Sequence, residues 1–204
     1  VGGYLAGMLE EGLFDAVFDV QSFDSAVTRS IHEDPRHIEI DASWYANPFN
    51  AGCIVHNLDC VILAALEVDC GFNVNVLTGH DGVLRGASGG HQDTAAGAKL
   101  SIVVAPSFRG GVPSIKERVT TITTPGETVD AIVTERGICI NPRREDLIGS
   151  ALKAGLPVVD IDALKKEVEK LTGIPRPAEF DRDKIAAVVE YRDGTLIDTV
   201  YARK

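Results

Sequence analysis

The sequence has little positive charge: 20 lysines and arginines stand against 30 aspartates and glutamates, a formal net charge of −10. A chain of this sign repels nucleic-acid phosphates and anionic lipid surfaces. It also lacks an apolar run near the roughly 18 residues that a membrane-spanning helix needs. We therefore expect neither a nucleic-acid nor a membrane partner. Any positive field that an anionic ligand requires has to be local, and the candidates are Arg85, Arg109 and Arg118.

Cysteine is scarce as well. The four cysteines, Cys53, Cys60, Cys70 and Cys139, form no C-x-x-C pair and have no histidine at zinc-site spacing. Free thiols of this kind are typical of proteins in a reducing cytosol. No basic-then-apolar leader precedes the first residue, so nothing suggests secretion. We predict a cytoplasmic protein without a metal site.

The composition is that of a globular α/β protein, with 204 residues, 45% of them hydrophobic, and 20 glycines. Continuous apolar runs at residues 59–65 and 100–105 suit strands covered on both faces. Because predicted helices and strands alternate, we expect a mostly parallel sheet with flanking helices. The other predicted strands are 13–20, 37–40, 118–124, 131–134 and 157–161, and the predicted helices are 4–11, 25–32, 48–57, 144–153 and 163–171.

The C-terminal part predicts a helix and a hairpin. Asp162 is expected to cap the helix, and Leu164, Val168 and Leu171 to form its buried face. Residues 185–192 and 195–201 predict a β-hairpin with a two-residue turn, at the periphery and distant from the glycine-rich stretch. We divide the chain into an α/β domain, residues 1–172, and a linker with the hairpin, residues 173–204, appended to that domain.

The most informative stretch is residues 78–99, which holds six glycines, two histidines and an arginine. Glycine reaches positive φ and lets backbone N–H groups approach a ligand closely. Asp93 and Thr94 predict the cap of a helix that continues from Ala95. Such a segment suits a carboxylate, a phosphate or a developing oxyanion. We expect it at the carboxyl ends of the strands, where ligands bind in open α/β sheets.

This stretch supplies six candidate site residues: the backbone positions Gly86, Gly89 and Gly90 and the side chains of Arg85, Ser88 and His91. His91 either hydrogen-bonds a substrate oxygen, as a catalytic residue, or ties the loop to neighbouring backbone. Arg85 either clamps a carboxylate or forms a structural salt bridge. Ser88 lacks a G-x-S-x-G setting, so we interpret it as a hydrogen-bond donor and not as a nucleophile.

Three asparagines are further candidates for substrate binding. Asn47 lies on a polar turn before a predicted helix, where capping explains it equally well. Asn73 and Asn75 alternate with valines, so both should face the same side of an extended segment just before the glycine-rich stretch. Buried asparagines need partners, which a carboxylate-rich substrate could supply.

Several segments, in order along the chain, resemble the citrate lyase alpha-subunit family. The likeness rests on Gly86-Ala87-Ser88-Gly89-Gly90-His91 and on residues 36–40, 42–48, 72–76, 129–141 and 192–194. Residues 41–68 and 86–99 are more remotely similar to the β half of classical CoA-transferases. The resemblance implies a CoA-transferase-like α/β fold, of a type shared with sugar-phosphate isomerases.

The resemblance also implies an activity. Members of the family exchange the acetyl group on an acyl-carrier-protein thioester for citrate, which gives citryl-carrier and acetate. The implied substrates are citrate and a CoA-type thioester, with no tightly bound cofactor, and the implied partners are an acyl carrier protein subunit and a lyase subunit. Because the chain begins at Val1 without methionine, we expect the second half of such a polypeptide, inactive without the N-terminal half.

One departure from the related enzymes concerns the nucleophile. Classical CoA-transferases carry a glutamate in a Ser-Glu-Asn-Gly segment that forms a covalent intermediate. In register, this chain has Gln21-Ser22-Phe23-Asp24, where Asp24 is the only carboxylate and is one methylene shorter. Attack requires a distance of about 3–3.5 Å. We keep Asp24 as a candidate catalytic residue but predict direct exchange between the bound substrates.

Other functions remain open at this point. Within the same class they are the alpha subunits of citramalate lyase and malonate decarboxylase. From other classes, the chain is either a non-catalytic scaffold for carrier and sister subunits or a sugar-phosphate isomerase. The glycine-rich stretch favours ligand contact over a pure scaffold.

Overall fold

The computed structural model describes all 204 residues and separates them into two compact units, Val1–His56 and Asn57–Lys204. None of the helices combines the length and the apolar character needed to cross a membrane. The C-terminal hairpin falls in the same unit as residues 57–172. The grouping of residues 1–172 in one domain stays a prediction.

The first unit alternates three helices with two short strands. In chain order they are α1 (Gly3–Glu10), β1 (Val17–Asp19), α2 (Ser25–Glu33), β2 (His37–Glu39) and α3 (Ala42–Ala46). The two strands pair in parallel. Leu9 of α1 and Val27 of α2 are fully buried. The four elements predicted between residues 4 and 40 are therefore confirmed, although β1 is shorter than expected.

The predicted helix over residues 48–57 is wrong. The side chain of Asp41 caps α3, so the helix starts and ends before this stretch. Asn47 and Asn50 each accept a hydrogen bond from the amide two residues further on, at 3.0 Å. Such side-chain turns compete with helical hydrogen bonding. Only a short 3-10 turn, Ile54–Asn57, forms.

The second unit contains the remaining strands and helices. They are β3 (Cys60–Ala64), β4 (Glu67–Asp69), β5 (Val74–Asn75), α4 (His91–Gly97), β6 (Leu100–Val104), β7 (Phe108–Arg109), β8 (Val112–Pro113), β9 (Ile115–Lys116), β10 (Ala131–Thr134), β11 (Gly137–Ile140), α5 (Glu145–Lys153), α6 (Ile161–Thr172), β12 (Phe180–Glu190) and β13 (Leu196–Arg203).

The main sheet of this unit has the strand order β11-β10-β6-β3. β3, β6 and β10 are parallel, and β11 is an antiparallel edge. Val103 of β6 and Ile132 of β10 are fully buried in its core, together with Val168 of α6. The expected mostly parallel sheet, with residues 60–64 beside residues 100–104, is confirmed.

The predicted strand over residues 118–124 is wrong: only its end bridges a strand, where Thr124 pairs with Val74 of β5, and earlier amides of the segment donate to side chains. The Thr120 amide bonds a carboxylate oxygen of Glu67 at 2.8 Å. The Ile122 amide bonds a carboxylate oxygen of Asp198 at 2.7 Å. Buried and half-buried carboxylates therefore hold this segment in an irregular path.

The last helix, α6, differs from its prediction at both ends. Asp160 caps it instead of Asp162, by accepting a hydrogen bond from the amide three residues on at 2.9 Å. Leu164 and Val168 are buried as expected. Leu171 is 59% exposed, because it lies beyond the part of the helix that packs on the sheet.

The C-terminal hairpin is longer than predicted and is not remote from the glycine-rich stretch. Its loop has three residues instead of two, since the Tyr191 amide bonds the Thr195 carbonyl at 2.7 Å. Gly194 adopts a φ of 88°, which favours glycine. In addition, the Gln92 side chain of α4 donates to the Glu190 carbonyl at 3.0 Å. The hairpin therefore fastens the helix that follows the glycines.

Candidate functional site

His91 connects the glycine-rich stretch to the carboxyl end of β3. Its Nε2 lies 3.0 Å from the carbonyl oxygen of Ala64, the last residue of β3. Its Nδ1 lies 2.7 Å from the hydroxyl of Thr124. A carbonyl only accepts, so Nε2 carries the proton and Nδ1 accepts from the threonine. The stretch thus lies at the predicted edge of the sheet.

The imidazole of His91 is buried and neutral. Burial lowers its pKa, although the hydrogen bond to the Ala64 carbonyl opposes the shift. Both ring nitrogens have partners within the protein, as expected if this histidine anchors the loop instead of binding substrate. The geometry makes His91 a positioning residue, and a direct contact with substrate stays a prediction.

The helix after the glycines starts earlier than predicted. Gly90 is the residue before α4 and His91 is its first residue, so Asp93 lies in the first turn and is not the cap. Asp93 pairs with Arg192 of the hairpin loop at 3.3 Å. Burial raises the pKa of Asp93 despite this partner. One terminal nitrogen of Arg192 is buried without an acceptor.

The loop from Gly86 to Gly90 exposes its backbone. The amides of residues 87–90 have no acceptor in the protein, whereas the Gly86 amide bonds the Leu77 carbonyl at 3.2 Å. Gly89 is exposed and has a φ of 51°, a turn conformation that favours glycine. Successive free N–H groups in a turn form a concave site for an anion.

Gly86 is required for a different reason. A Cβ at this position would lie 2.4 Å from the carbonyl oxygen of Val76, a contact that backbone cannot relieve. The absence of a side chain at Gly86 therefore allows the loop to pack closely against the segment that contains Val76. Its predicted role as a direct backbone donor to substrate is not supported by this geometry, because its amide is already bonded.

The two polar side chains of the loop differ in their partners. Arg85 forms an exposed ion pair with Asp81 at 2.7 Å, the structural alternative foreseen for it. The Val83 amide and then Arg85 lower the pKa of the Asp81 carboxyl. Ser88 accepts a bond from the His91 amide through its carbonyl, and its half-buried hydroxyl has no partner.

The side-chain amides of Asn73 and Asn75 hydrogen-bond to the carboxylates of Asp69 and Glu67, and we call this network the frame. The side-chain amide of Asn75, fully buried, donates to Glu67 at 2.9 Å and to the Thr78 carbonyl at 2.7 Å. That of Asn73 donates to both oxygens of Asp69 at 3.2 Å. Their hydrogen-bonding capacity is used within the protein, and their substrate contact stays a prediction.

Sequence reasoning missed the two carboxylates that organise this frame, Glu67 and Asp69. Both are buried. Glu67 pairs with Lys116 and accepts from the Thr120 amide. The available signal was the charged pair directly after an apolar run, since acidic residues at the end of a buried strand need partners.

Asp24 and Asn47 lie in the first unit, while the other eight candidates lie in the second. Asp24 caps α2, accepting from the Val27 amide at 3.0 Å and from the Gly3 amide at 2.7 Å. These two amides lower the pKa of its carboxyl, Val27 most. Asn47 uses its oxygen for a local turn and donates to the Ser43 hydroxyl at 3.2 Å. Both side chains act in local structure.

The second unit also contains a cavity of about 500 Å³. It is bounded by the segment 113–121, by residues 174–180 and by both hairpin strands. Thr78, His80 and Gly82 bring the beginning of the glycine-rich stretch to its wall. None of the ten candidate site residues lines it, so sequence reasoning did not anticipate this cavity.

Three residues group as possible metal ligands, Cys70, Glu117 and Asp162, with ligand atoms within 4.8 Å of one another. Glu117 already pairs with Lys165 at 2.8 Å. Burial, and then the neighbouring Asp162 carboxylate, raises the pKa of the Cys70 thiol to about 12. The thiol is therefore protonated near neutral pH when no metal is bound. Because Glu117 already serves an ion pair, we assign no metal to this group.

Comparison with known proteins identifies close relatives. A sequence model of the family "Citrate lyase, alpha subunit (CitF)" matches residues 1–203. The citrate lyase alpha chain of Haemophilus influenzae is 51% identical over 207 residues, which cover 100% of this chain and 41% of that protein. The Klebsiella pneumoniae protein of the same name is 48% identical over 98% of this chain and 39% of its own length. The chain thus spans well under half the length of these relatives.

Solved structures agree with this result. The crystal structure of a citrate lyase alpha subunit from Streptococcus mutans, in complex with citrate, matches 98% of this chain and 39% of that chain with a TM-score of 0.95 and 48% identity. A 4-hydroxybutyrate CoA-transferase from Porphyromonas gingivalis matches 83% of this chain and 43% of that chain, with a TM-score of 0.52 and 18% identity, which shows the fold alone. The expected CoA-transferase-like fold is confirmed. The comparisons do not support the expectation that the chain is the second half of a longer polypeptide.

Proposed function

This chain belongs to the citrate lyase alpha-subunit family, and from that membership we propose that it is part of a transferase that exchanges acetyl for citrate on a thioester. The observation that carries the proposal is the 48% identity and TM-score of 0.95 to the citrate-bound subunit from Streptococcus mutans. Because relatives are more than twice as long, the activity is proposed for the complete polypeptide and not for this chain alone.

The proposed reaction balances as two acyl transfers. A citrate carboxylate oxygen attacks the acetyl thioester carbonyl, the carbon–sulfur bond breaks, and the thiolate leaves with an acetyl–citrate anhydride bound. The thiolate then attacks the citryl carbonyl of the anhydride, and acetate leaves. The products are citryl thioester and acetate. Both steps pass through an oxyanion that hydrogen-bond donors stabilise.

The exposed loop Gly86–Gly90 is the best-suited donor in the second unit. The four unpartnered amides of residues 87–90 match what a carboxylate or an oxyanion requires. His91 fixes the end of this loop to β3 and to Thr124. We assign the loop amides to substrate binding and His91 to their positioning. The half-buried Ser88 hydroxyl, which has no partner, is a further donor at the same place.

Direct exchange needs no nucleophilic carboxylate from the chain. Asp24 is committed to the start of α2 through two backbone amides, and its lowered pKa reflects those bonds. Releasing it for attack would uncap the helix. We therefore propose a ternary complex of both substrates, with sequential kinetics. Borohydride should trap no thioester on the enzyme, and a CoA adduct at Asp24 would contradict direct exchange.

The proposal extends to partners and location. The thioester substrate is carried by an acyl carrier protein or by CoA itself, and a lyase subunit consumes the citryl product. No tightly bound cofactor or metal is needed for these steps. Four free cysteines agree with a reducing, cytoplasmic location.

The test is a transfer assay on the complete polypeptide that contains this chain. Acetyl-CoA and citrate are supplied, and mass spectrometry measures citryl-CoA and acetate in equal amounts. Citramalate in place of citrate serves as the matched control for the citramalate lyase alternative. Absence of citryl-CoA with a folded protein, both with acetyl-CoA and with an acetylated carrier protein, would contradict the proposal.

A further inference from the structure

The first turn of α4 contacts the loop end of the hairpin through two neighbouring side chains. Gln92 donates from its side-chain amide to the Glu190 carbonyl at 3.0 Å. Nε of Arg192 donates to a carboxylate oxygen of Asp93 at 3.3 Å. Because Arg192 and Asp93 are 99 residues apart in sequence, the hairpin reaches back to the turn that directly follows the exposed loop Gly86–Gly90.

Hydrogen bonds join this turn to the loop. Both the amide and the hydroxyl of Thr94 bond the Gly90 carbonyl, at 3.0 and 2.9 Å. The His91 amide bonds the Ser88 carbonyl at 3.0 Å. The orientation of α4 therefore sets where the unpartnered amides of residues 87–90 point.

Two anchors are needed to fix the start of α4. The first is His91, whose side chain bonds the Ala64 carbonyl and the Thr124 hydroxyl. One side chain alone leaves the helix free to rotate about that contact. Successive residues project about 100° apart around a helix axis, so Gln92 and Asp93 face a different part of the protein from His91. Their contacts with the hairpin form the second anchor and fix the orientation of the helix.

The pair between Asp93 and Arg192 is poorly suited to stabilising the fold. Their side chains are only 17% and 14% exposed. A single hydrogen bond joins them, while Nη2 of Arg192 and the side-chain oxygen of Gln92 are buried without a partner. Burial raises the pKa of the Asp93 carboxyl despite the neighbouring cation. Since the desolvation of incompletely bonded charges offsets their attraction, the pair supplies a fixed geometry and little net stability.

We propose that Arg192 is a positioning residue for the exchange of acetyl for citrate: through Asp93 it holds α4 in the orientation that aims the loop amides at the substrate. This inference rests on the proposed function, in which those amides bind substrate and stabilise the oxyanion. Donors to an oxyanion lie about 2.7–3.1 Å from it. A displacement of about 1 Å costs on the order of 10²-fold in rate. The hairpin therefore contributes to the reaction without contacting the reacting atoms.

The test compares citrate transfer by variants of the complete polypeptide, with acetyl-CoA and citrate as substrates. Asp93→Ala/Arg192→Met removes both charges, so that neither is left buried without its partner. We expect kcat to fall roughly tenfold or more, and by a larger factor than KM for citrate rises, because the donors to the transition state are displaced. The midpoint of thermal unfolding should stay close to that of the parent. Because Asp93 takes only one hydrogen bond from Arg192, Arg192→Lys should restore part of the kcat that Arg192→Met loses.

Arg203→Met is the matched control. Arg203 lies on the same hairpin and is exposed, and its side chain forms no hydrogen bond or ion pair. This variant should change kcat less than about twofold, as expected for a surface substitution.

The inference is wrong if the double variant keeps the kcat of the parent, if its kcat falls only as far as its folded fraction, or if Arg203→Met lowers kcat equally. If the double variant does not fold, the single variants decide, and equal kcat in Arg192→Lys, Arg192→Met and the parent contradicts the inference. A parent that transfers no citrate contradicts the proposed function itself. An active parent beside an equally active variant contradicts the positioning role alone.

Discussion

Polar residues at the carboxyl edge of the main sheet and the arginines around the cavity differ in whether they already have partners. At the sheet edge, Glu67, Asn75 and His91 are buried and fully bonded within the protein. Around the cavity, Arg118 and Arg176 are exposed and have no partner. The first set builds a rigid frame whose free donors are backbone amides, whereas the second set is free to bind a ligand.

This difference predicts opposite responses to mutation. Removing a buried group that is fully bonded leaves its partners without hydrogen bonds and destabilises the fold. Removing an exposed, unpartnered group changes binding and leaves stability nearly unaltered. Substitutions in the two regions therefore separate frame residues from ligand-binding residues.

The largest effect is expected at Glu67. Its replacement by Ala removes the partner of half-buried Lys116 and the acceptor for the Thr120 amide. Loss of one member of a buried ion pair costs about 3–5 kcal/mol. Urea unfolding of the complete polypeptide measures this, with the exposed Glu179→Gln as the control. A loss of unfolding free energy no larger than in the control would show that Glu67 does not stabilise this network.

A large effect on activity, without a comparable loss of stability, is expected at Gly89. Valine does not reach the φ of 51° easily and obstructs the free amides, so citrate transfer should fall about 10²-fold or more, as when an oxyanion donor is lost. Gly89→Asn tolerates this conformation and should retain more activity. If both variants transfer citrate like the parent, the loop does not bind substrate.

At His91 a moderate loss of stability is expected. Replacing it by Ala leaves the Thr124 hydroxyl and the Ala64 carbonyl unpaired, at a cost of about 1–3 kcal/mol. His91→Gln should restore part of this stability. If transfer falls about 10²-fold in both variants while the unfolding free energy is unchanged, His91 touches substrate instead of positioning the loop.

The same histidine predicts a pH dependence. Its pKa is lower in the folded protein than the usual 6.5, so the unfolded state binds the proton more readily. The unfolding free energy should be fully present above about pH 6.5 and fall as the pH drops below it. His91→Gln should remove this part of the pH dependence. An identical pH profile in the variant would contradict a buried, neutral imidazole.

The smallest effect is expected at Arg85. Its ion pair with Asp81 is exposed, and such pairs contribute little to stability. Arg85→Gln should leave the denaturation midpoint nearly unchanged, as measured by thermal unfolding. A loss of transfer larger than tenfold at unchanged stability would instead place this guanidinium at the substrate carboxylate. That result would add the Arg85 side chain to the loop amides that bind substrate.

The sheet was predictable from the sequence because its strands are continuous apolar runs. Residues 60–64 and 100–104 carry that signal, and the glycine-rich stretch between them lies at the expected edge. The predicted strand at 118–124 failed for a physical reason. Its threonines and β-branched residues suit a strand, but distant carboxylates take the amides of residues 119, 120 and 122, and local sequence does not show those carboxylates.

The candidate site was predictable in its location and less so in its roles. Glycine content pointed correctly to a loop with free amides. Whether Asn73, Asn75 and Arg85 are free or bonded depends on residues that come close only on folding, such as Glu67. The cavity was missed because Arg118 and Arg176 are far apart in sequence and join only through the hairpin and linker.

Hydrogen exchange of the complete polypeptide, with and without citrate, tests most directly whether the loop amides bind the substrate. The amides of residues 87–90 have no protein acceptor and should exchange rapidly in the free protein. Saturating citrate should slow their exchange, while the exposed turn around Gly110 and Gly111 stays unchanged. Unaltered exchange at residues 87–90 in a preparation that transfers citrate would contradict the proposed site.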